Sequence, residues 1–221
     1  MRKYDRQYYI EVTKDEERRR FSYAIAEYFK DFKGKKALDI GCGKGFLVKA
    51  LRELGVDAEG IDISEYAIEN AVTEYVKQSD ATNLPYDDNV FDLVLCIEVL
   101  EHLEESDLNK SIMEIRRVLK PQGIIFLTTP APGSAYAKQD PTHKSIHDKK
   151  EWIKIFLENG FTLNLKHSQG LRNTIVEYWA STNPSTIIGK FLSKFGKLRK
   201  IAIRKYEERN SIVLAFTKRE G

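Results

Sequence analysis

Three glycines at alternate positions, Gly41, Gly43 and Gly45, break the chain just after the apolar run Ala37-Leu38-Asp39-Ile40. Glycine lacks a Cβ, so it turns the backbone sharply at positive φ and lets a ligand approach the main chain. A helix that starts at such a turn aims its free N–H groups at the same ligand, and the three parts together make a cradle for a nucleotide-type cofactor. Taken alone, the turn suits a tight strand-to-helix connection equally well. A second apolar run, Val56 to Ile61, ends in Asp62, about 20 positions after the turn. A carboxylate there accepts hydrogen bonds from ribose hydroxyls; the alternative is a cap or turn residue, since Ser64 and Glu65 also suit a helix start.

A second group of residues has the chemistry to act on an acceptor. Glu98-Val99-Leu100-Glu101-His102 follows the apolar run ending at Cys96, and His143 and His147 stand in a later loop. Imidazole titrates near neutral pH, so His102 and His147 are candidate catalytic bases for a hydroxyl acceptor. If the segment is helical, Glu98, Glu101 and His102 at i, i+3 and i+4 share one face. With His147 they offer two carboxylates and two imidazoles, a set able to hold a divalent cation that lowers a hydroxyl's pKa. A plain helix-entry segment is the alternative.

Apolar runs alternating with helical stripes must position these groups. Strands are expected at 36–40, 57–61, 75–77, 93–96, 124–128, 161–165 and 211–217. Helices are expected at 44–54, 65–72, 106–119 and 149–159, the last ending at Gly160 as a C-terminal cap. The alternation predicts a parallel sheet with helices on its faces, and such sheets bind ligands beyond the carboxyl ends of their strands. Before the first strand, Phe21, Ala24, Ile25, Tyr28 and Phe29 recur at helical spacing.

The spacing G-x-G-x-G differs from the G-x-G-x-x-G of dinucleotide folds. Leu38-Asp39-Ile40-Gly41-Cys42-Gly43-Lys44-Gly45 resembles the first motif of the class I S-adenosylmethionine-dependent methyltransferases. The resemblance continues in family order through Gly60-Ile61-Asp62-Ile63-Ser64, Ser79-Asp80-Ala81 with Leu84-Pro85-Tyr86, Phe91-Asp92-Leu93-Val94 and Val118-Leu119-Lys120-Pro121-Gln122-Gly123, across roughly residues 35 to 130.

The resemblance implies a doubly wound α/β fold with a mostly parallel, seven-stranded, Rossmann-like sheet, and S-adenosylmethionine as cofactor. It places Asp39 and the turn backbone of Gly41, Cys42 and Gly43 at the amino acid end of the cofactor, Asp62 at the ribose, and Asp80 with Ala81 at the adenine. Ile63 and Ile97 join them as cofactor-binding neighbours. Asp80 equally suits a simple turn. The Glu98, Glu101, His102 and His147 set is similar to the metal site of small-RNA 2′-O-methyltransferases and, in part, to that of quinone-biosynthesis O-methyltransferases. Methyl transfer is an in-line displacement, so the protein mainly aligns a nucleophile and excludes water.

The remaining features bound the function. A chain of 221 residues, 42% hydrophobic and 31% charged, is expected to form one methyltransferase domain over 1–221, with an N-terminal helical cap at about 1–33 and a basic helical insertion at about 167–209. No run of about 18 to 20 apolar residues and no signal-peptide core is found, so a cytoplasmic location is expected. The two cysteines, Cys42 and Cys96, are expected to be reduced. A net charge of +3 is too small to argue for nucleic acid by itself. Ile187, Phe191, Phe195, Leu198 and Ala202 recur at helical spacing among lysines and arginines, which suits an active-site cap, an anionic membrane surface or a phosphate track. The expected activity is O-methylation of a small-molecule or lipid-linked acceptor. The alternatives are an RNA 2′-O-methyltransferase and a non-catalytic cofactor-binding partner protein.

Overall fold

The apolar runs pair with one another. In the computed structural model, which describes residues 4–11, 15–182 and 211–220, they form strands β1 (Lys36–Ile40), β2 (Asp57–Asp62), β3 (Val76–Gln78), β4 (Phe91–Ile97), β5 (Leu119–Pro130), β6 (Phe161–Leu163) and β7 (Ser211–Lys218). All seven join one sheet in the order β3-β2-β1-β4-β5-β7-β6. The first five are parallel, whereas β7 runs antiparallel to both β5 and β6.

Helices cover both faces, which is why the central strands are apolar at nearly every position instead of alternating with polar residues. They are α1 (Arg6–Glu11), α2 (Asp15–Ala26), α3 (Phe46–Glu53), α4 (Glu65–Glu69), α5 (Glu105–Val118), α6 (Ala135–Gln139), α7 (Lys149–Glu158) and α8 (Leu165–Thr182). On one face Leu38, Ile40, Val94 and Cys96 pack under Ile112 and Ile115 of α5 and Trp152 and Phe156 of α7. On the other, Ala37, Leu93, Leu95 and Phe126 pack under Ile25 of α2, Val48 and Leu51 of α3 and Leu171 of α8. Each fully buried Leu, Ile or Phe contributes roughly 1.5–3 kcal/mol of transfer free energy, so these two layers make the sheet a rigid platform.

Several boundaries differ from the sequence-based expectation for local reasons. β5 starts at Leu119, which pairs with Phe91; Gln122 then adopts a φ of 64°, and regular pairing resumes at Ile124 opposite Leu93. The helix expected over 65–72 stops at Glu69, and that expected over 149–159 ends at Glu158, with Gly160 at a φ of 82° just beyond. Residues 100–102 form a short 3-10 turn, so Glu98 is not on a helix and the expected i, i+3, i+4 face does not exist. The expected basic insertion at 167–209 begins within α8; its helical stripe at 187–205 lies outside the described residues. Among the described residues no helix is long and apolar enough to cross a membrane.

Candidate functional site

Register brings the chemistry to one rim. Ile40 pairs with Ile61 on one side and Cys96 on the other, so β1, β2 and β4 end at the same level. Asp62 pairs with Gln78, and Ser79-Asp80 follow β3 over the same rim. The strand order reverses between β1 and β4, where open sheets of this kind leave a crevice. A cavity of about 1140 Å³ opens there, beneath α1 and α2.

The glycine turn forms one wall. Gly41, Gly43 and Gly45 have φ values of 70°, 55° and 80°, a region that L side chains enter at a cost. At Gly41 a Cβ would also lie 2.4 Å from Val99 Cγ2, so nothing larger than hydrogen fits. The Gly41 and Cys42 amides donate to the Ile61 carbonyl at 2.8 and 2.9 Å, tying the turn to the end of β2. The Gly43 amide donates to Asp62 Oδ2 at 2.8 Å, and the Ser64 amide donates to Asp62 Oδ1 at 2.8 Å. The cap of α4 is Ser64, whose Oγ accepts from the Ala67 amide, so Asp62 is not the cap.

Asp39, Gly41, Cys42, Gly43, Asp62 and Ile63 all line this cavity, as do Asp80, Ala81 and Ile97 across it. Ile63 is 52% exposed, unusual for an isoleucine, and faces the space where a flat apolar ligand would cover it. Asp80 is exposed and its Oδ1 accepts from both the amide and the hydroxyl of Thr82, so it makes the simple turn while also lining the cavity. Burial pushes the Cys42 and Cys96 thiols well up, which leaves both unreactive, and both are free thiols.

Asp39 is buried at the floor. Burial first, and the Asp62 charge second, push its carboxyl up to about 8, against the opposing pull of the Arg18 guanidinium. An acid whose pKa is higher folded than unfolded binds its proton more tightly in the folded state. Its penalty is therefore absent below about pH 4, grows through neutrality and levels off near pH 8. At about 1.4 kcal/mol per unit, urea titrations from pH 5 to 8 are expected to show stability falling by a few kcal/mol on account of this group. Asp39→Asn is expected to flatten that slope; an equal slope in the variant would show that Asp39 is already ionised.

The end of β4 and the 3-10 turn after it carry the second group. Glu98 has a φ of 57°, a left-handed backbone costing roughly 1–3 kcal/mol for a side chain without local compensation. That conformation turns Glu98 into the cavity, beside Val99 and His102. Glu101 is completely buried, with the Glu98 carboxyl as its side-chain hydrogen-bond neighbour. Burial and the neighbouring Glu98 charge push its pKa well up. The Glu101 carbonyl accepts from the amides of Lys144 and Ser145, and Ser145 Oγ donates to the Leu103 carbonyl. These bonds hold residues 142–145 against the 3-10 turn, with the His102 and His143 rings 4.8 Å apart.

The two other histidines of the early expectation separate. His147 packs edge-on against Trp152 with its Nε2 3.0 Å from Glu105, outside the cavity lining, so the structure does not bring it to His102. His143 stands beside His102 instead, and like His147 it is not among the residues that line the cavity. One donor atom each from Glu101, His102 and His143 lie within 4.8 Å of one another. The His143 Nδ1 lies 3.3 Å from the Ala137 carbonyl, which can only accept, so that ring nitrogen donates.

Residues not singled out by sequence complete the site. Tyr4, Tyr8 and Tyr9 of the N-terminal segment and Arg18 of α2 line the cavity. Tyr4 stands edge-on to His102, its carbonyl accepts from Ser64 Oγ at 2.6 Å, and the Tyr9 ring lies against that of Tyr66. Lys44, next to the glycine turn, pairs with Asp15 at 2.8 Å. The only sequence signal was the tyrosine spacing at 4, 8 and 9, too short a stripe to separate a lid from a tail.

Strand order, the glycine turn, the acid at the tip of β2 and the crevice between them define the class: a class I S-adenosylmethionine-dependent methyltransferase fold, whose cofactor is S-adenosylmethionine. Residues 38–127 match a family model described as a methyltransferase domain. It is similar to the ubiquinone biosynthesis O-methyltransferase of Haemophilus ducreyi, 36% identical over 109 residues, covering 43% of this chain and 45% of the relative. It is also similar to the mitochondrial ubiquinone biosynthesis O-methyltransferase of Schizosaccharomyces pombe, 38% identical over 122 residues, 48% of this chain and 42% of the relative. The chain thus spans less than half the length of these curated relatives. A crystal structure of a SAM-dependent methyltransferase from Archaeoglobus fulgidus shares the fold over 97% of this chain and 100% of its own, with a TM-score of 0.65 and 23% identity.

Proposed function

We propose that this chain transfers a methyl group from S-adenosylmethionine to a hydroxyl oxygen of a small-molecule or lipid-linked acceptor. The observation that carries the reading is His102 in the lining of the same cavity as the glycine turn, where an imidazole can take the proton a hydroxyl must lose. The relatives named as O-methyltransferases support the same chemistry, and an intermediate of ubiquinone biosynthesis is one acceptor class to test.

When bound, the cofactor supplies an activated methyl group, and the chain's own residues align and shield it. In this reading Asp39 and the turn backbone hold the amino acid end, with the Arg18 guanidinium nearby to attract its carboxylate. Asp62 takes the ribose hydroxyls, and Ile63, Asp80 and Ala81 bracket the adenine. The tyrosines of α1 cover the cleft and exclude water. Incubation with methyl-labelled cofactor and fractionated extract is expected to label one small or lipid-soluble product. Label confined to RNA would overturn the acceptor class, and no turnover with any fraction would favour a cofactor-binding partner protein.

A second reading concerns how the hydroxyl is activated. Glu101, His102 and His143 fit a divalent cation, because one carboxyl and two imidazoles converge within 4.8 Å and the Nδ1 atoms of both imidazoles are already engaged, by Thr142 and by the Ala137 carbonyl. Such an ion would lower the pKa of an acceptor hydroxyl. Loss of labelling in chelator, restored by added divalent cation, would support it; full activity in chelator with no bound metal leaves His102 as the base.

A further inference from the structure

Thr142 joins His102 to Asp140 through contacts whose proton positions follow from valence. Thr142 Oγ1 lies 2.5 Å from Asp140 Oδ1 and 2.8 Å from His102 Nδ1. The Thr142 amide donates to the same Asp140 oxygen at 2.8 Å, and the Tyr8 hydroxyl donates to Asp140 Oδ2 at 3.0 Å. Burial alone would raise the Asp140 pKa, but the bonds from Thr142 and Tyr8 outweigh it and hold the carboxyl below its ordinary value. Asp140 is therefore ionised at neutral pH and has no proton to give.

The hydroxyl of Thr142 has one proton, and the carboxylate takes it. Oγ1 then offers only lone pairs to its remaining neighbours. The contact with His102 has to be an Nδ1–H donating to Oγ1.

We infer that Asp140 and Thr142 are positioning residues that lock His102 in the Nδ1–H tautomer and so make Nε2 its basic nitrogen. The choice of tautomer decides which ring nitrogen can take a proton or hold an ion, and it is set by the hydrogen bond at the other one. The loop that carries both residues is fixed to the 3-10 turn by Lys144, Ser145 and the Glu101 carbonyl, so the Thr142 hydroxyl is held at one point relative to the ring. Tyr8 anchors the far end of the relay to α1. The catalytic value of the relay rests on the reading of His102 as the group that serves the acceptor; the tautomer itself does not.

The test uses the full chain with ¹⁵N-labelled histidine, the His102 signals being assigned by their loss in His102→Gln. The nitrogen shifts at a pH where the ring is neutral are expected to report a protonated Nδ1 and an unprotonated Nε2. Thr142→Val is expected to move the equilibrium toward Nε2–H, and Thr142→Ser to restore the native pattern. Methyl incorporation into the labelled product is expected to fall roughly 10- to 100-fold in kcat in Thr142→Val, with KM for S-adenosylmethionine unchanged. A wild-type His102 carrying its proton on Nε2, or a Thr142→Val spectrum identical to wild type, would overturn the relay. A tautomer shift with undiminished kcat would uphold the relay and overturn the role assigned to His102.

Discussion

Asp62→Ala is expected to weaken S-adenosylmethionine binding by two to three orders of magnitude. The carboxylate accepts from the Gly43 and Ser64 amides at 2.8 Å each, and Asp62 lines the cavity. Removing it deletes the acceptor for the ribose hydroxyls and orphans two amides of the turns that shape the site. A hydrogen bond to a charged group contributes about 1.5–3 kcal/mol. Loss of two such bonds to the ligand, with some slackening of the turn, comes to about 3–4 kcal/mol, which is on the order of 10²- to 10³-fold in Kd. Asp62→Asn keeps one acceptor oxygen and is expected to fall between. Isothermal titration of the cofactor measures both; binding by Asp62→Ala within about fivefold of wild type would leave Asp62 as a brace for the glycine turn alone.

His102→Gln is expected to lower kcat for methyl transfer by about 10²- to 10⁴-fold while leaving cofactor affinity near wild type. Glutamine keeps a polar side chain of similar reach but can neither take a proton near neutral pH nor match imidazole as a ligand. The split between the two constants matters, because His102 lies on the 3-10 turn after β4, whereas the cofactor residues other than Ile97 lie on β1, β2 and the turns after β1, β2 and β3. A kcat within a few-fold of wild type would remove His102 from the chemistry under either reading of hydroxyl activation. His147→Gln serves as the control: held against Trp152 and Glu105, it is expected to change kcat little.

The donor half of the site was legible in the sequence because it is built from local signals. Gly41, Gly43 and Asp62 each mark the end of an apolar run, and parallel pairing puts the ends of neighbouring strands at one rim whatever the loops do. The acceptor half was not, because it depends on contacts between distant segments. Thr142 meets His102 across 40 positions, and Tyr8 meets Asp140 across 132. Helical spacing applied to Glu98, Glu101 and His102 failed because Glu98 sits in a left-handed turn before a single 3-10 turn begins at Leu100. The same limit explains the exchange of histidines. His143 and His147 are four positions apart, and bonds between distant segments, from Lys144 and Ser145 to Glu101 and from Ser145 to Leu103, set His143 beside His102.

Tyr8 and Tyr9 of α1, with Tyr4 ahead of it, touch both halves at once. Tyr4 and Tyr9 meet Ser64 and Tyr66 on the donor side, and Tyr4 and Tyr8 meet His102 and Asp140 on the acceptor side. Any movement of this segment therefore reaches the glycine-turn side and the His102 side together. In the proposed reaction, displacement of this segment is expected to disturb the donor site and the acceptor site together.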